Sequence, residues 1–176
     1  MNDVDTGASD LLIRPEQAHD YIAVHRITEA AFDGPAEASL IKILRRNADP
    51  VISLVAEKDG EVLGHIMFSP VSLPGASELV MGLAPMAVDP DQQQSGIGTR
   101  LVREGLVKCE ELGAAGVVVL GHSEFYPRFG FVPASRLGVG CEYDVPDDVF
   151  MAMELRENGL DGAYGVARYH EAFGSI

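Results

Sequence analysis

The chain has 176 residues, of which 47% are hydrophobic, so it can bury a core and is too apolar to be a disordered chain. Its 27 acidic and 13 basic residues give a formal net charge of −14. That charge argues against nucleic acids and anionic membranes as partners, because both require clustered Lys and Arg. No apolar run approaches the roughly 18 residues of a membrane span.

The N-terminal part is predicted to form a strand and two helices. Leu11 to Arg14 is predicted as a short strand, and Pro15 as the first residue of a helix, because proline is best tolerated there. Asp33 is predicted to cap a second helix, since its carboxylate can accept the free amides of a helix start. Apolar residues of helical period give the two helices inward faces: Ala23, Ile27, Ala30, Leu40, Ile41 and Leu44.

The rest of the chain is predicted to combine strands with one further helix. Asp59-Gly60 is a strong signal for a tight hairpin, and Gly113 is typical of a helix end. Pro85 interrupts a strand pattern, which indicates a bulge where the strand parts from its neighbour. Gly105 indicates a close approach of the helix to the sheet. The predicted elements are strands at Val51 to Glu57, Val62 to Val71, Glu78 to Val88, Val117 to Leu120, Phe150 to Leu155 and Gly165 to Tyr169, and a helix at Thr99 to Leu112.

This order of elements predicts the fold class. Antiparallel hairpins come first, and a β-α-β unit follows, so the expected fold is α/β, with a mixed, mostly antiparallel sheet and helices on both faces. Residues Met1 to Asp10 are small, polar and acidic, and are predicted as a disordered start and not as a signal peptide. Cys109 and Cys141 are predicted to be free thiols of a cytoplasmic protein. The histidines show no ligand spacing, so no metal is predicted.

A glycine-rich segment joins the strand that contains Pro85 to the following helix. Gly96 and Gly98 lack a Cβ, so the backbone can approach an anion closely, and the start of the helix directs its free N–H groups and positive dipole end at that anion. Gly98 is followed by Thr99-Arg100, which excludes a P-loop, and Leu101 stands where a dinucleotide fingerprint needs a small residue. The segment therefore predicts a pyrophosphate site of another kind, with an ordinary flexible turn as the alternative for this segment alone.

A second motif follows one helix and one strand later, where Tyr126 precedes Gly130-Phe131 at a fixed offset. Together the motifs resemble the GCN5-related N-acetyltransferase family, whose Gln/Arg-x-x-Gly-x-Gly/Ala pattern matches Gln93, Gly96 and Gly98 and whose Tyr-x-x-x-Gly-Phe pattern matches residues 126–131. The resemblance is good over residues 51–135 and looser over the N-terminal helices. The ending from Ala167 to Phe173 is similar to one poorly characterised bacterial subgroup.

The resemblance implies a single N-acetyltransferase domain at residues 11–176, acting as a monomer or homodimer. Its co-substrate is expected to be acetyl-CoA, and its acceptor a primary amine of a small molecule or peptide, which attacks the thioester directly through a tetrahedral intermediate. In the family the strand before the glycine-rich segment splays from its neighbour and binds pantetheine. The implied coenzyme A-binding residues are Met86, Ala87, Val88, Gln93, Gln94, Ser95, Gly96, Ile97, Gly98, Thr99, Arg100 and Arg128, with Arg103 as a further cation.

Catalytic roles follow from what amide formation requires. The resemblance gives Tyr126 the role of the general acid that protonates the leaving thiolate. His122 directly follows the predicted buried strand and is the candidate base, since imidazole accepts protons near neutral pH; a water relay without a dedicated base is the alternative. Three acidic residues flank the turn between the first two helices and are candidates to attract a cationic acceptor, or else form a solvated acidic face: Glu29, Asp33 and Glu37.

A second function stays open at this point. The strand before the glycine-rich segment offers no carboxylate base between Leu79 and Leu83, and Glu78 stands only at its start. A non-catalytic acyl-CoA-binding sensor or interaction module is therefore the alternative to the enzyme. A nucleotide binder with other chemistry is disfavoured, because the P-loop lysine and the third glycine are both missing.

Overall fold

The computed structural model describes residues 10–175, so the predicted disordered start, Met1 to Asp10, lies outside the described residues except for Asp10. Three α-helices form within this range: α1 (Tyr21–Phe32), α2 (Ala36–Asn47) and α3 (Ile97–Glu111). The strands are β1 (Leu12–Pro15), β2 (Ile52–Lys58), β3 (Glu61–Val71), β4 (Val80–Val88), β5 (Gly116–Leu120), β6 (Val132–Pro133), β7 (Val139–Cys141), β8 (Phe150–Glu154) and β9 (Gly165–Ala167).

Seven strands form one sheet in the order β1-β2-β3-β4-β5-β8-β6. Only β4 and β5 pair in parallel within it, and its other neighbours are antiparallel, which confirms the predicted mixed, mostly antiparallel α/β fold. The hairpin at Asp59-Gly60 is also confirmed, with both residues at positive φ (52° and 78°) between β2 and β3. This conformation suits the right-handed twist of a tight hairpin.

The two faces of the sheet carry different helices, because successive side chains of a strand point to opposite faces. Leu54 and Ala56 of β2 pack into the cluster that contains α3, whereas Val55 between them packs with α1 and α2. The predicted arrangement of helices on both faces is therefore confirmed. A separate two-stranded parallel sheet, β7 with β9, belongs to a third cluster, which also contains Val80 of β4, Val118 of β5 and Ala152 of β8.

Two predictions near the N-terminus are wrong. Pro15 does not open a helix: it ends β1 opposite Leu54, and α1 begins only at Tyr21. The Asp20 carboxylate explains the delay, because it accepts the Gln17 N–H at 2.7 Å and so builds a short turn before α1. Asp33 does not cap α2 either. It ends α1 in the left-handed conformation, at φ 54°, and Pro35 precedes α2.

Two further corrections concern the C-terminal half. The predicted last strand, Gly165 to Tyr169, is shorter and lies outside the main sheet, because it pairs in parallel with β7. The strands β6 and β7 were not predicted. They have two and three residues, too few for a period-2 pattern to identify them.

The bulge predicted at Pro85 is confirmed and opens the sheet. Ile66 of β3 lies opposite Met86, while Phe68 lies opposite Leu83, so β4 carries one extra residue at Ala84-Pro85. The parallel pairing of β4 with β5 stops at Leu83. Beyond that point β4 continues as far as Val88 without β5 beside it, and a gap separates the two strands.

Gly105 marks the close approach of α3 to the sheet. An ideal Cβ at this position would lie 2.6 Å from Cζ of Phe68 and closer still to Cε2. We therefore expect Gly105→Ala to lower the free energy of unfolding by about 1–3 kcal/mol, because overpacking outweighs a gain of about 1 kcal/mol in helix propensity. Urea unfolding measures the change. Glu104→Ala, at the exposed neighbouring position, is the control; an equal or stabilising effect at Gly105 would contradict the packing argument.

Candidate active site

A cavity of about 1220 Å³ lies where β4 and β5 separate. Its lining includes Met86 and Ile97, which pack with the α3 cluster, and also Leu40 and Phe173, which pack with the α1 and α2 cluster. The cavity therefore reaches both faces of the sheet through the gap. Drug-sized ligands occupy pockets of about 300–1,000 Å³, so this space is sufficient for an elongated ligand together with a second molecule.

One end of the cavity is the glycine-rich loop before α3. Gly96 adopts φ 88° and ends the loop as the residue before the helix, and the Gln93 side chain donates to the Val88 carbonyl at 3.3 Å. The first helical hydrogen bond that reaches back to the loop runs from the Arg100 N–H to the Gly96 carbonyl at 3.1 Å. The amides before it therefore lack a partner within the helix and form a natural anion site.

The structure brings most of the predicted coenzyme-binding residues to this cavity. Ser95, Arg100 and Arg103 are outside its lining: the Ser95 hydroxyl donates to the Gln92 carbonyl, Arg100 Nη1 donates to the Leu11 carbonyl at 3.0 Å, and Arg103 lies over the Phe129 ring. The residues that line it are Met86, Ala87, Val88, Gln93, Gln94, Gly96, Ile97, Gly98, Thr99 and Arg128.

Tyr126 lines the same cavity and is held firmly by aromatic packing. Its ring meets those of Phe125 and Phe131 edge to face, with centroids 5.0 and 5.7 Å away. A Cβ at Gly121 would lie 2.5 Å from the Tyr126 ring, so the glycine makes room for the ring. Burial raises the pKa of Tyr126 to about 12. The phenol therefore stays protonated at neutral pH and can donate a hydrogen bond.

His122 also lines the cavity, from an exposed position after β5. The predicted acid and the candidate base therefore line the same cavity and are four residues apart in the chain.

The predicted acceptor-binding acids are not brought together. Glu37, in the first turn of α2, lines the cavity. Glu29 lies 3.1 Å from His25 along α1, and Asp33 is exposed in the turn between the helices. Neither of these two lines the cavity.

Several aromatic lining residues were not singled out from the sequence. Tyr143 and Tyr169 lie far along the chain from Phe32, yet all three line the cavity. The Tyr169 ring packs against the Phe173 ring at a tilt of 50°, with centroids 5.0 Å apart, and it fills the space over Gly82, where a Cβ would lie 2.5 Å from it. The one signal in the sequence was the pair of rings four residues apart at the chain's end, which does not reveal that this segment folds back over β4.

Two further properties concern the described part of the chain. Among residues 10–175, no group of three or more His, Cys, Asp or Glu side chains is arranged to hold a metal ion. In the same range, no helix combines the length and the apolar character that crossing a bilayer requires.

Comparison with known proteins gives consistent similarities. The model of the acetyltransferase (GNAT) family matches residues 19–131. The uncharacterized N-acetyltransferase YhbS of Escherichia coli (strain K12) is 36% identical over 164 residues, which cover 93% of this chain and 98% of that protein. The uncharacterized N-acetyltransferase YjhQ of the same strain is 37% identical over 130 residues, or 71% of this chain and 72% of that protein.

Two solved structures are similar over nearly the whole chain. The crystal structure of the GNAT family N-acetyltransferase YhbS from Escherichia coli in complex with CoA has a TM-score of 0.88 at 35% identity, and the match covers 95% of this chain and 93% of that one. A GNAT family acetyltransferase from Brucella melitensis in complex with acetyl-CoA has a TM-score of 0.77 at 37% identity, with 93% and 97% covered.

Proposed function

The chain belongs to the acetyltransferase (GNAT) family and is an acetyl-CoA-dependent N-acetyltransferase, and from this premise we propose that it acetylates a primary amine of a small molecule or peptide. One observation carries the proposal: a single cavity joins the glycine-rich loop to Tyr126 and continues through the gap between β4 and β5 to α2. The donor can then enter from the α3 face of the sheet and the amine from the opposite face.

We assign donor binding to the loop and to the free part of β4. The N–H groups of Ile97, Gly98 and Thr99 at the start of α3 bind the pyrophosphate, with the positive end of the helix dipole behind them. The backbone from Met86 to Val88 lies beside the gap and binds the pantetheine arm. Arg128 adds a positive charge from the cavity wall. Ser95 and Arg100 act indirectly, since their hydrogen bonds hold the loop and the start of α3 in place.

The chemical step needs one proton donor and one proton acceptor. The neutral amine attacks the thioester carbonyl, so that a C–N bond forms and the C–S bond breaks. A backbone N–H near Met86 stabilises the negative charge that develops on the carbonyl oxygen. The departing sulfur takes its proton from the Tyr126 phenol, and the nitrogen gives up a proton to His122 or to water. The proton released from the nitrogen replaces the one that Tyr126 gave to the sulfur, so the enzyme returns to its starting protonation state.

We further propose that residues 11–176 form one N-acetyltransferase domain, present as a monomer or a homodimer. The cavity supports this proposal, because one chain lines it from both faces of the sheet. A cytoplasmic location is proposed because both cysteines, Cys109 and Cys141, are free, as is usual for thiols in a reducing compartment.

The test follows free thiol while the protein turns over acetyl-CoA with a panel of primary amines. We expect thiol release that depends on the amine and stops when a tertiary amine replaces it, with the N-acetyl product identified by mass. Tight binding of acetyl-CoA without turnover on any amine would contradict the proposal and favour the non-catalytic sensor. Calorimetry with acetyl-CoA, carried out in parallel, separates failure of donor binding from failure of chemistry.

A further inference from the structure

The acceptor end of the cavity has an unusual lining. We define the acceptor pocket as the side of the cavity opposite α3, formed by residues of α1, α2 and the C-terminal segments: Phe32, Glu37, Tyr143, Val145, Tyr169 and Phe173, beside the aliphatic Ala31 and Leu40. Four of these eight side chains are aromatic, and Glu37 is the one carboxylate among them. Outside the acceptor pocket, the ionisable side chains of the cavity are His122, Tyr126 and Arg128, all in the segment that follows β5.

The aromatic side chains of the acceptor pocket are left partly open. Phe32 is 41% exposed and Tyr143 is 42% exposed, although both line a concave site. Exposed apolar rings in a cavity typically mark the place where a ligand packs. Aromatic faces also attract organic cations, so such walls suit an amine as well as an apolar body.

Tyr169 adds a polar requirement to this apolar surface. Its hydroxyl oxygen is buried and makes no hydrogen bond of good geometry among the described residues, although the Leu120 backbone lies near it. A buried hydroxyl whose hydrogen bonding is incomplete is unfavourable, and native structures usually complete it with protein, water or ligand. Because Tyr169 lines the cavity, the hydroxyl is placed to pair with a polar atom of the bound substrates, such as the amine nitrogen or the acyl oxygen.

We propose that the acceptor is a small primary amine with a single positive charge, carried on an aromatic ring or a similarly flat apolar body. The inference rests on the proposed acetyl transfer and names its substrate class. Glu37 attracts the ammonium group, which gives one proton to water before its neutral nitrogen attacks the thioester, and the rings hold the apolar body. Polyamines and aminoglycosides carry several positive charges and would find one carboxylate in the pocket, whereas an acidic amine would be repelled by Glu37.

The experiment uses 2-phenylethylamine as the probe and the full chain loaded with CoA. Calorimetry measures its binding, and thiol release from acetyl-CoA measures kcat/KM against spermidine and kanamycin. We expect the aromatic amine to have the highest kcat/KM of the three, by about tenfold or more. Phe32→Ala and Glu37→Gln are each expected to weaken its binding about tenfold, while the KM for acetyl-CoA stays unchanged.

Two matched substitutions serve as controls. Ile22→Ala removes another exposed apolar side chain of α1, and Glu29→Gln neutralises an acid outside the cavity; both are expected to leave binding unchanged. All four variants alter side chains that are exposed or half-buried, and thermal unfolding checks that each is folded.

Each outcome bears on one proposal. Absence of binding by 2-phenylethylamine, or binding that Phe32→Ala and Glu37→Gln leave unaltered, overturns the inference. A higher kcat/KM for spermidine or kanamycin also overturns it, while acetyl transfer to amines stands. Binding of the aromatic amine with the expected sensitivity to both substitutions, but with no thiol release from acetyl-CoA, supports the pocket assignment and contradicts the proposed acetyl transfer.

Discussion

Replacing Tyr126 with phenylalanine is expected to lower kcat by about 10²–10⁴-fold, the usual contribution of a positioned general acid. The ring would keep its edge-to-face contacts with Phe125 and Phe131, so the fold and the binding of acetyl-CoA should change little. What is lost is the proton that the leaving thiolate accepts. Steady-state thiol release with a saturating amine measures kcat, and calorimetry measures the dissociation constant of acetyl-CoA.

Tyr164→Phe is the matched control, because Tyr164 is exposed and outside the cavity lining. It should retain full activity. The pKa of about 12 adds a second expectation: the Tyr126 phenol stays protonated up to strongly alkaline pH, so its ionisation should cause no loss of activity between pH 7 and roughly pH 10. If kcat is the same with phenylalanine at position 126, another group protonates the thiolate.

Replacing Arg45 with methionine is expected to lower the free energy of unfolding by about 3–5 kcal/mol, as breaking a buried ion pair does. Arg45 donates to the Glu16 carboxylate through Nε at 2.6 Å and Nη2 at 2.8 Å. The side chains are 14% and 3% exposed. Methionine would still cover the Tyr21 ring, over which the guanidinium now lies, but Glu16 would keep its charge without this partner. Urea unfolding at pH 7 measures the loss.

The control for this substitution is an ion pair of similar geometry at the surface. Arg156 lies 2.6 Å from Glu78, with both side chains about half exposed. Arg156→Met should therefore change the free energy of unfolding by at most about 1 kcal/mol. Equal effects of the two substitutions would show that burial does not determine the strength of the Glu16 pair.

The same cluster should make the wild-type protein less stable in acid. Burial alone would raise the pKa of Glu16, but hydrogen bonds from His65 and Arg45 bring it down from 4.5 to about 2. Its stabilising contribution, about 3 kcal/mol, is complete above pH 4.5 and is lost as the pH falls toward 2. Burial also lowers the pKa of His65 from 6.5. On acidification this histidine takes up a proton in the unfolded state before it does so in the folded state. The free energy of unfolding therefore begins to fall below about pH 6.5. Unfolding at a series of pH values tests this direction.

The sequence predicted those parts of the fold that depend on local rules. Asp59-Gly60 needs positive φ at two successive residues, and few residue types allow it. Pro85 cannot donate to a sheet ladder, so it located the bulge and the gap beside β4. The errors at Pro15 and Asp33 arose because each residue suits two local roles. Proline can open a helix or end a strand, and aspartate can cap the start of one helix or end another. For Pro15, the hydrogen bond from the Gln17 N–H to the Asp20 carboxylate delays the helix start.

For a related reason, the sequence identified more of the cavity lining at the glycine-rich loop than at the acceptor pocket. The loop residues from Gln93 to Thr99 are contiguous, so their glycine pattern is readable along the chain. The acceptor pocket instead combines α1 and α2 with segments that begin more than a hundred residues later, near Tyr143 and Tyr169. No periodic pattern links these segments, and their proximity arises only when the chain end packs over Gly82.

The extra residue at Ala84-Pro85 has a kinetic consequence. Because β4 and β5 separate there, the cavity opens on both faces of the sheet. A coenzyme bound at one opening leaves the other opening accessible to the amine. We therefore expect both reactants to bind at once and the acetyl group to pass directly from acetyl-CoA to the amine in a ternary complex, without an acylated side chain as an intermediate. Initial-rate plots should then converge at a point, unlike the parallel lines of a ping-pong enzyme.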